Sequence, residues 1–348
     1  MKDTIFFVLK GNNGATYICN ANNWATLNHS LKFYKARTAK AKFLKFGLQV
    51  LLFLKGKLGV PALKTSTAVE TYIQTIVKNK VGFNIDTACS ILISPTQDKV
   101  IVNHHNNYFE KFAFGKSYTK IKKEAAIYNL FGSAQKHFQV SRIYDANFVD
   151  NNYCLFKLSN KNVLTANATK EIALVPILIE FFNISKRATT TITIYSNQLQ
   201  QSIKALESSA YTPQLELLEA FKNEFETRVF PLGLVHKDFK PWNVLPYDKI
   251  LIYDFEETIV NGLPLEDLLN YYIDPIIRFK STTEVLGSIK TIKSLLKTYL
   301  KELEITIDHT VFLQFYCMER LIFYSTENDK STSNKYKDLS NLIIKERI

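Results

Sequence analysis

The first half of the chain contains short runs rich in β-branched and aromatic residues. The runs between residues 83 and 158 are Ser90–Ile93, Lys99–Asn103, Tyr108–Phe114 and Asn152–Leu158. Turn-forming residues separate the first three runs, at Ser94–Asp98 and at Asn106–Asn107. Short runs of this kind, bounded by turns, predict neighbouring β-strands.

The second half of the chain has the periodicity of helices. Pro213 precedes a predicted helix at Gln214–Val229 that carries its apolar side chains on one face. The run Ile250–Tyr253 is apolar on both faces, which predicts a buried strand. Further helices are predicted from Leu265 to Arg347.

Residues 1–80 contain no recognisable catalytic motif. They open with a predicted hairpin of Ile5–Leu9 and Ala15–Cys19, and basic and apolar helices follow. We therefore predict an N-terminal extension that covers a sheet or contacts a partner. Within it, residues 35–57 place lysines beside apolar side chains. Two interpretations stay open: peripheral contact with an anionic membrane, or a helix packed on its own domain with its lysines in water.

Composition predicts a globular cytoplasmic protein. Of 348 residues, 46% are hydrophobic, which suits two modest domains or one two-lobed enzyme. Four cysteines without a CxxC pair indicate buried thiols in a reducing compartment. The N-terminal apolar run is too short for a signal peptide or a transmembrane segment. The net charge of +12 favours anionic partners, although solvated lysines explain most of it, and no segment resembles a nucleic-acid-binding module.

The stretch Leu234–Glu256 contains the residues with candidate chemistry. Asp238 is followed five residues later by Asn243, and the apolar run after it ends in Asp254. Phosphoryl transfer needs groups in this order: a carboxylate for the attacking hydroxyl, then an amide oxygen and a second carboxylate for magnesium on the nucleotide phosphates. A hairpin turn with solvated Asp and Asn is the alternative, but it leaves the number of matched positions unexplained.

The segment HKDFKPWN, residues 236–243, resembles the HxDFxxxN motif of the aminoglycoside phosphotransferase-like and choline-kinase-like enzymes. The continuations DFE at 254–256 and GLPLEDL at 262–268 resemble the branch of that family found near bacterial surface-polysaccharide genes. The resemblance implies a two-lobed protein kinase-like α+β fold. We expect a small antiparallel-sheet N-lobe at 81–158 and a mainly helical C-lobe at 159–348, after the N-terminal extension.

Carried over to this sequence, the resemblance implies roles for five residues of the second half. Asp238 is expected to be the catalytic base, with Asn243 and Asp254 as magnesium ligands. His236 is expected to brace the loop, and Asp267 to be a buried anchor at the start of the following helix. ATP or GTP with Mg²⁺ is the implied cofactor.

Two lysines depart from the usual motif. Lys237 replaces a glycine, which is expected to alter the loop geometry near the phosphates. Lys240 stands where Ser/Thr protein kinases have a lysine near the transferred phosphate. For Lys240 two interpretations stay open: stabilisation of transition-state charge, or a solvated turn lysine.

Phosphate binding in the small lobe needs a lysine on the third strand and a glutamate on the next helix. Lys111 lies among apolar residues of its strand, and Glu124 lies in the apolar stripe of a predicted helix at Lys120–Phe131. Each charge is costly to bury alone, so we predict that the two side chains form an ion pair. Two unrelated surface charges are the alternative, and Lys99 is the rival lysine.

The turn after the first of these strands has no glycine, whereas protein kinases cover the phosphates with a Gly-rich loop. Ser94 and Thr96 are the candidates to bind phosphate there, as a serine hydroxyl or backbone amides do in the antibiotic-kinase relatives. The absence of glycine here, together with Lys237, favours the second hypothesis given below, a catalytically weak module.

Together these features predict an ATP- or GTP-dependent phosphotransferase that acts on a hydroxyl of a small molecule. The resemblance suggests a sugar, polyol or glycan-lipid acceptor. A catalytically weak kinase-like module that binds nucleotide or scaffolds polysaccharide biosynthesis is the second hypothesis. A protein kinase ranks third, because Asp254-Phe255-Glu256 replaces Asp-Phe-Gly and only a short stretch separates Asp254 from Asp267.

Overall fold

The computed structural model describes most of the chain and divides it into two compact units. The described residues are 6–11, 14–33, 42–47, 49–50, 66–77, 90–104, 108–131, 135–141, 143–149, 153–159, 173–186, 188–206, 209–245 and 249–346. The first unit comprises residues 1–128 and 140–166, and the second comprises 129–139 and 167–348. The helices of the described part include none with the length and apolar character that crossing a membrane requires.

The first unit is built on antiparallel strands. Its elements are β1 (Phe6–Lys10), β2 (Thr16–Asn20), α1 (Trp24–Phe33), α2 (Ser66–Val77), β3 (Ser90–Ile93), β4 (Lys99–His104), β5 (Tyr108–Ala113) and α3 (Gly115–Tyr128), and, after β6 (Phe138–Val140), β7 (Ile143–Val149) and β8 (Tyr153–Ser159). Seven of the strands form one sheet in the order β1-β2-β3-β4-β5-β8-β7, and every neighbouring pair is antiparallel.

Alternation along the strands explains how the helices cover this sheet. Ile18 packs with Val69 and Ile73 of α2, whereas its neighbour Cys19 packs with Leu27 and Leu31 of α1. Because successive strand residues point to opposite faces, α1 and α2 lie on opposite sides of β2. On β5, Phe112 packs in the same hydrophobic cluster as Val69 and Ile73 of α2. Its neighbour Lys111 therefore points to the opposite face of the sheet.

The N-terminal hairpin belongs to this sheet. Strand β1 is described from Phe6, β2 begins one residue later than the predicted Ala15, and β2 pairs with β3 from Thr16↔Ile93 to Cys19↔Ser90. The hairpin of the predicted N-terminal extension is thus part of the same sheet as the strands predicted for the N-lobe. Asn12 and Asn13 between the two strands, the predicted turn at Asn106–Asn107 and most of residues 35–57 lie outside the described residues.

The second unit is mainly helical. Its remaining elements are α4 (Leu174–Asn183), β9 (Ala188–Thr191), α5 (Ile192–Lys204), α6 (Thr212–Phe225), β10 (Val229–Val235), β11 (Val244–Leu245), β12 (Ile250–Ile252), β13 (Ile259–Gly262), α7 (Glu266–Tyr272), α8 (Asp274–Ile277), α9 (Thr282–Thr291), α10 (Lys293–Glu302), α11 (His309–Thr326) and α12 (Lys330–Glu346). Two small sheets, β13-β10-β9 and β11-β12-β6, complete it. An antiparallel-sheet unit followed by a mainly helical unit is the α+β architecture that the sequence predicted.

Strand β10 leads directly into the loop of residues 236–243, and Gly233 determines how closely the strand packs on a helix. A Cβ atom at this position would come within 2.6 Å of the side chain and the carbonyl oxygen of Phe182 in α4. Only glycine allows strand and helix to pack this closely. Helix α4 therefore fixes the position of β10, whose last residue, Val235, precedes His236.

Candidate active site

Two short strands bring Asn243 and Asp254 to the same end of a ladder. Strand β11 pairs with β12 at Val244↔Ile252, and the N–H of Tyr253 donates to the carbonyl oxygen of Asn243 at 3.3 Å. Asn243 and Tyr253 are thus neighbours across the ladder, and Asp254 is the next residue. Asp254 has φ 71° and ψ 59°, a left-handed conformation that turns the chain sharply after β12.

Asp238 is tied to Asn243 within the loop. The Nδ2 of Asn243 donates to the carbonyl oxygen of Asp238 at 2.9 Å and to its carboxylate Oδ2 at 2.8 Å. Both bonds use the amide nitrogen, so the opposite side of the amide presents Oδ1. The carboxylate keeps part of its surface accessible, because its side chain is 31% exposed.

Lys240 bridges two carboxylates. Its Nζ lies 2.5 Å from Oδ1 of Asp238 and 2.8 Å from Oδ2 of Asp274 in α8. Its ammonium also stands 5.7 Å from the ring centroid of Trp242. The side chain is only 16% exposed, which differs from the interpretation of Lys240 as a solvated turn lysine.

Asp274 is a buried anion that sequence reasoning did not identify. Its Oδ1 accepts hydrogen bonds from the hydroxyls of Tyr324, at 2.7 Å, and Tyr336, at 2.9 Å. Burial alone would raise the pKa of this carboxyl, but the charges of Arg320 and Lys240 hold it at about 2, below the ordinary 3.8. Asp274 therefore stays ionised and holds Lys240 beside Asp238.

We expect the free energy of unfolding at acid pH to depend on this ion pair. Because the folded-state pKa of Asp274 is depressed, its contribution is present above pH 4 and is lost as the pH falls towards 2. The shift corresponds to about 2 kcal/mol. Urea unfolding should show that Asp274→Asn is less stable than the native protein at pH 7 and loses less stability between pH 4 and 2. Asp338→Asn, at an exposed carboxylate, is the control. Equal pH dependence in Asp274→Asn and the native protein would contradict the assignment.

His236 links the loop to the end of β12. It is fully buried, and its Nε2 lies 3.0 Å from the carbonyl oxygen of Tyr253. Burial lowers the pKa of His236, although the charges of Asp238 and Asp254 act in the opposite direction. The ring is therefore neutral at pH 7, with the proton on Nε2, because a carbonyl oxygen can only accept.

Asp267 holds the start of the loop through its backbone N–H groups. It is 5% exposed in the first turn of α7, where its carboxylate accepts the backbone N–H of His236 at 2.7 Å and of Lys237 at 3.1 Å. Burial raises the pKa of Asp267 to about 7, and the two N–H donors counteract this rise. The side chain lies where the resemblance implied an anchor.

Lys237, which stands in place of a glycine, has a backbone conformation that favours glycine. Its φ of 64° is the left-handed conformation that glycine adopts without strain. Its Nζ pairs with Oε1 of Glu266 at 2.5 Å and with Oε2 of Glu319 at 3.0 Å. The neighbourhood of these carboxylates raises the pKa of Lys237 despite its burial, so the side chain is a cation.

Sequence reasoning did not assign roles to several polar residues that surround the loop. These residues are Glu266, Asn270, Asp274, Glu319 and Arg320. A signal was present for two of them, since Glu319 and Arg320 are adjacent charges in the otherwise apolar run of α11. Charges in such a run are costly to bury without partners, and here those partners are in the loop and α7.

In the first unit, Lys111 and Glu124 form the predicted ion pair. The Nζ of Lys111 lies 2.8 Å from both Oε1 and Oε2 of Glu124, and the two side chains are 7% and 0% exposed. Lys111 comes from β5 and Glu124 from α3, which starts at Gly115, five residues before the predicted Lys120. The rival Lys99 lies at the first position of β4.

The turn between β3 and β4 is organised by Asp98. Its carboxylate accepts the hydroxyl of Ser94 at 3.1 Å and also that of Thr96, and it accepts the backbone N–H of Ser117 at 3.3 Å. Burial acts to raise the pKa of Asp98, yet these hydrogen bonds lower it overall. The hydroxyls of Ser94 and Thr96 are thus engaged within the turn, where we predicted phosphate binding.

The donor set of the second unit fits magnesium. Mg²⁺ prefers hard oxygen ligands and takes one or two protein carboxylates together with substrate phosphates. The carboxylate of Asp254 and the Oδ1 of Asn243 are such oxygens, at one end of the β11–β12 ladder. In the described part of the chain, no group of three or more His, Cys, Asp or Glu side chains forms an all-protein metal site.

Comparisons with known proteins give similarity to solved structures alone. No protein-family model matches the chain, and no curated protein matches it. A thermostable aminoglycoside phosphotransferase APH(4)-Ia variant, in a ternary complex with ADP and hygromycin B, is 12% identical with a TM-score of 0.47, over 79% of this chain and 98% of the other.

Two further solved structures are similar. An aminoglycoside 2'-phosphotransferase-IIIa in complex with GDP is 13% identical with a TM-score of 0.44, over 72% of this chain and 90% of the other. A choline/ethanolamine kinase family protein from Mesorhizobium loti is 10% identical with a TM-score of 0.41, over 71% and 85%.

Proposed function

We propose that this protein is a magnesium-dependent phosphotransferase that moves the γ-phosphate of ATP or GTP to a hydroxyl group of a small molecule. One observation carries the proposal: Asn243 is hydrogen-bonded to the carboxylate of Asp238 and lies at the same end of the β11–β12 ladder as Asp254. A base and two magnesium ligands are what phosphoryl transfer requires of a protein.

The site residues of the second unit each have a role in this proposal. Asp238 accepts the proton of the acceptor hydroxyl, and the Asn243 amide fixes the direction of its carboxylate. Asn243 and Asp254 would hold Mg²⁺, which supplies charge neutralisation on the phosphates when it is bound. Lys240, held by Asp274, places a positive charge 2.5 Å from Asp238 and so beside the transferred group.

The ion pair of the first unit supports a nucleotide as the donor. Both carboxylate oxygens of Glu124 accept hydrogen bonds from the ammonium of Lys111, which fixes the direction of the lysine side chain. The proposed role of Lys111 is to bind the α- and β-phosphates of the nucleotide. For Ser94 and Thr96 the proposed part is to shape the turn through Asp98, since their hydroxyls already donate to that carboxylate.

The acceptor proposed here is a sugar, polyol or glycan-lipid, on the resemblance of the motif alone. The alternative is a catalytically weak kinase-like module that binds nucleotide or scaffolds polysaccharide biosynthesis. One of its supports was Lys237, but the backbone there has the geometry that glycine would adopt. The glycine-free turn after β3 is the remaining observation in its favour.

Thermal unfolding tests the nucleotide and the metal together. We expect ATP with Mg²⁺, at about 100 times its dissociation constant, to stabilise the native protein by about 2.7 kcal/mol. Asp254→Asn should lose most of the part that depends on Mg²⁺, because an amide is a weaker ligand than a carboxylate for this cation. Asp338→Asn should keep it. Stabilisation of Asp254→Asn that still depends fully on Mg²⁺ would contradict the metal assignment.

A further inference from the structure

Lys237 is held by two helices through all of its polar groups. Its backbone N–H donates to Asp267 at 3.1 Å, and its carbonyl oxygen accepts from Asn270 at 3.1 Å and from Arg320 at 2.8 Å. Its ammonium pairs with Glu266 and Glu319. These partners come from α7 and α11, and they are buried or partly buried.

The backbone at this position needs such support. A residue with a Cβ atom is disfavoured at φ 64°, because Cβ approaches the carbonyl oxygen that follows it. Lys237 immediately precedes Asp238, so a change of its backbone angles would swing the Asp238 carboxylate away from Asn243. The geometry of the base therefore depends on keeping a strained residue in place.

We propose that Lys237 is a positioning residue: its ion pairs with Glu266 and Glu319 offset the strain of a left-handed non-glycine residue and so fix the direction of the Asp238 carboxylate. A glycine at this position would need no such ion pairs. The inference rests on the proposed function, in which Asp238 is the base. It adds a second anchor from α11, through Glu319 and Arg320, to the one that Asp267 provides.

Two double variants separate backbone strain from charge. Lys237→Gly with Glu266→Gln, and Lys237→Ala with Glu266→Gln, both remove the ammonium and neutralise Glu266, the more deeply buried of its two carboxylate partners. They differ by one methyl group at a position where φ is 64°. With ATP and Mg²⁺ alone, the rate of ADP formation with water as the acceptor is measured at varied ATP concentration.

The glycine double variant is expected to keep kcat within about threefold of the native protein, and the alanine double variant to lose about tenfold. KM for ATP should change little in both, because Lys237 acts through Asp238 and not on the nucleotide. Equal rates in the two double variants, or a loss confined to KM, would overturn the inference.

Amide hydrogen exchange of the segment 236–245 gives a readout that needs no activity. Exchange at the loop should be faster in the alanine double variant than in the glycine double variant and the native protein. Lys222→Ala, which breaks an exposed ion pair with Glu219, is the control and should leave exchange unchanged. A native protein that forms no ADP with water or with any acceptor of a sugar and polyol panel would contradict the proposed function alone, and equal loop exchange in both double variants would still overturn the role of Lys237.

Discussion

Asp238→Asn is expected to lower the rate of phosphate transfer by roughly 100- to 10,000-fold, the range that a positioned general base contributes. The asparagine oxygen can still accept the hydrogen bond from Asn243, so the loop should keep its shape. An amide cannot accept the proton of the acceptor hydroxyl, and Lys240 keeps its ion pair with Asp274 when the charge of Asp238 is lost. ADP formation is measured with water as the acceptor, and with each sugar or polyol of a panel.

Nucleotide binding is the control for this variant. ATP and Mg²⁺ should stabilise Asp238→Asn against heat about as much as they stabilise the native protein, because the proposed metal ligands Asn243 and Asp254 remain. Lys222→Ala, far from any proposed role, should turn over normally. Full turnover by Asp238→Asn would refute the base. Loss of turnover together with loss of ATP binding would point to a structural role instead.

Local signals in the sequence were enough to locate most strands of the first unit. The runs predicted at Ser90, Lys99 and Tyr108 begin at the residues where β3, β4 and β5 begin. β-Branched residues and turn residues act over a few positions, so they can be recognised without knowledge of the fold. The order of the HxDFxxxN motif was likewise readable, because its residues are close in the chain.

Element ends that depend on distant partners were harder to predict. The helix predicted to reach Val229 ends at Phe225, since Val229–Val235 is strand β10. Strand β10 pairs with β9 from Val229↔Thr191 to Leu232↔Ala188, and with β13 on its other side. Helical periodicity within one segment gives no information about hydrogen bonds to residues almost forty positions earlier. Here the pairing with those residues overrides the local helical preference.

The loop's support was hidden from the sequence for the same reason. Glu266 and Glu319 are more than fifty residues apart, and each contacts Lys237 only once α7 and α11 have packed. Lys111 and Glu124 are closer in the chain, on neighbouring elements, and cost too much to bury separately. That cost made their pairing predictable, whereas a lysine in place of a glycine carried no comparable signal.

Glu124→Gln is expected to lower the free energy of unfolding by about 3–5 kcal/mol, because it removes the carboxylate that neutralises a buried ammonium. Both oxygens of Glu124 lie 2.8 Å from Nζ of Lys111, and the glutamate side chain is fully buried. Urea unfolding at pH 7 measures the loss. Glu219→Gln, at the exposed partner of Lys222, should change little and is the matched control.

The double variant Lys111→Met with Glu124→Leu separates stability from function. Replacing a buried ion pair by apolar side chains of similar volume is often neutral or stabilising, so most of the lost stability should return. If Lys111 binds phosphate, the stabilisation by ATP should not return with it, since a thioether offers no positive charge. Recovery of both stability and ATP binding would show that the pair only holds α3 against β5. Recovery of stability alone would support a phosphate-binding lysine.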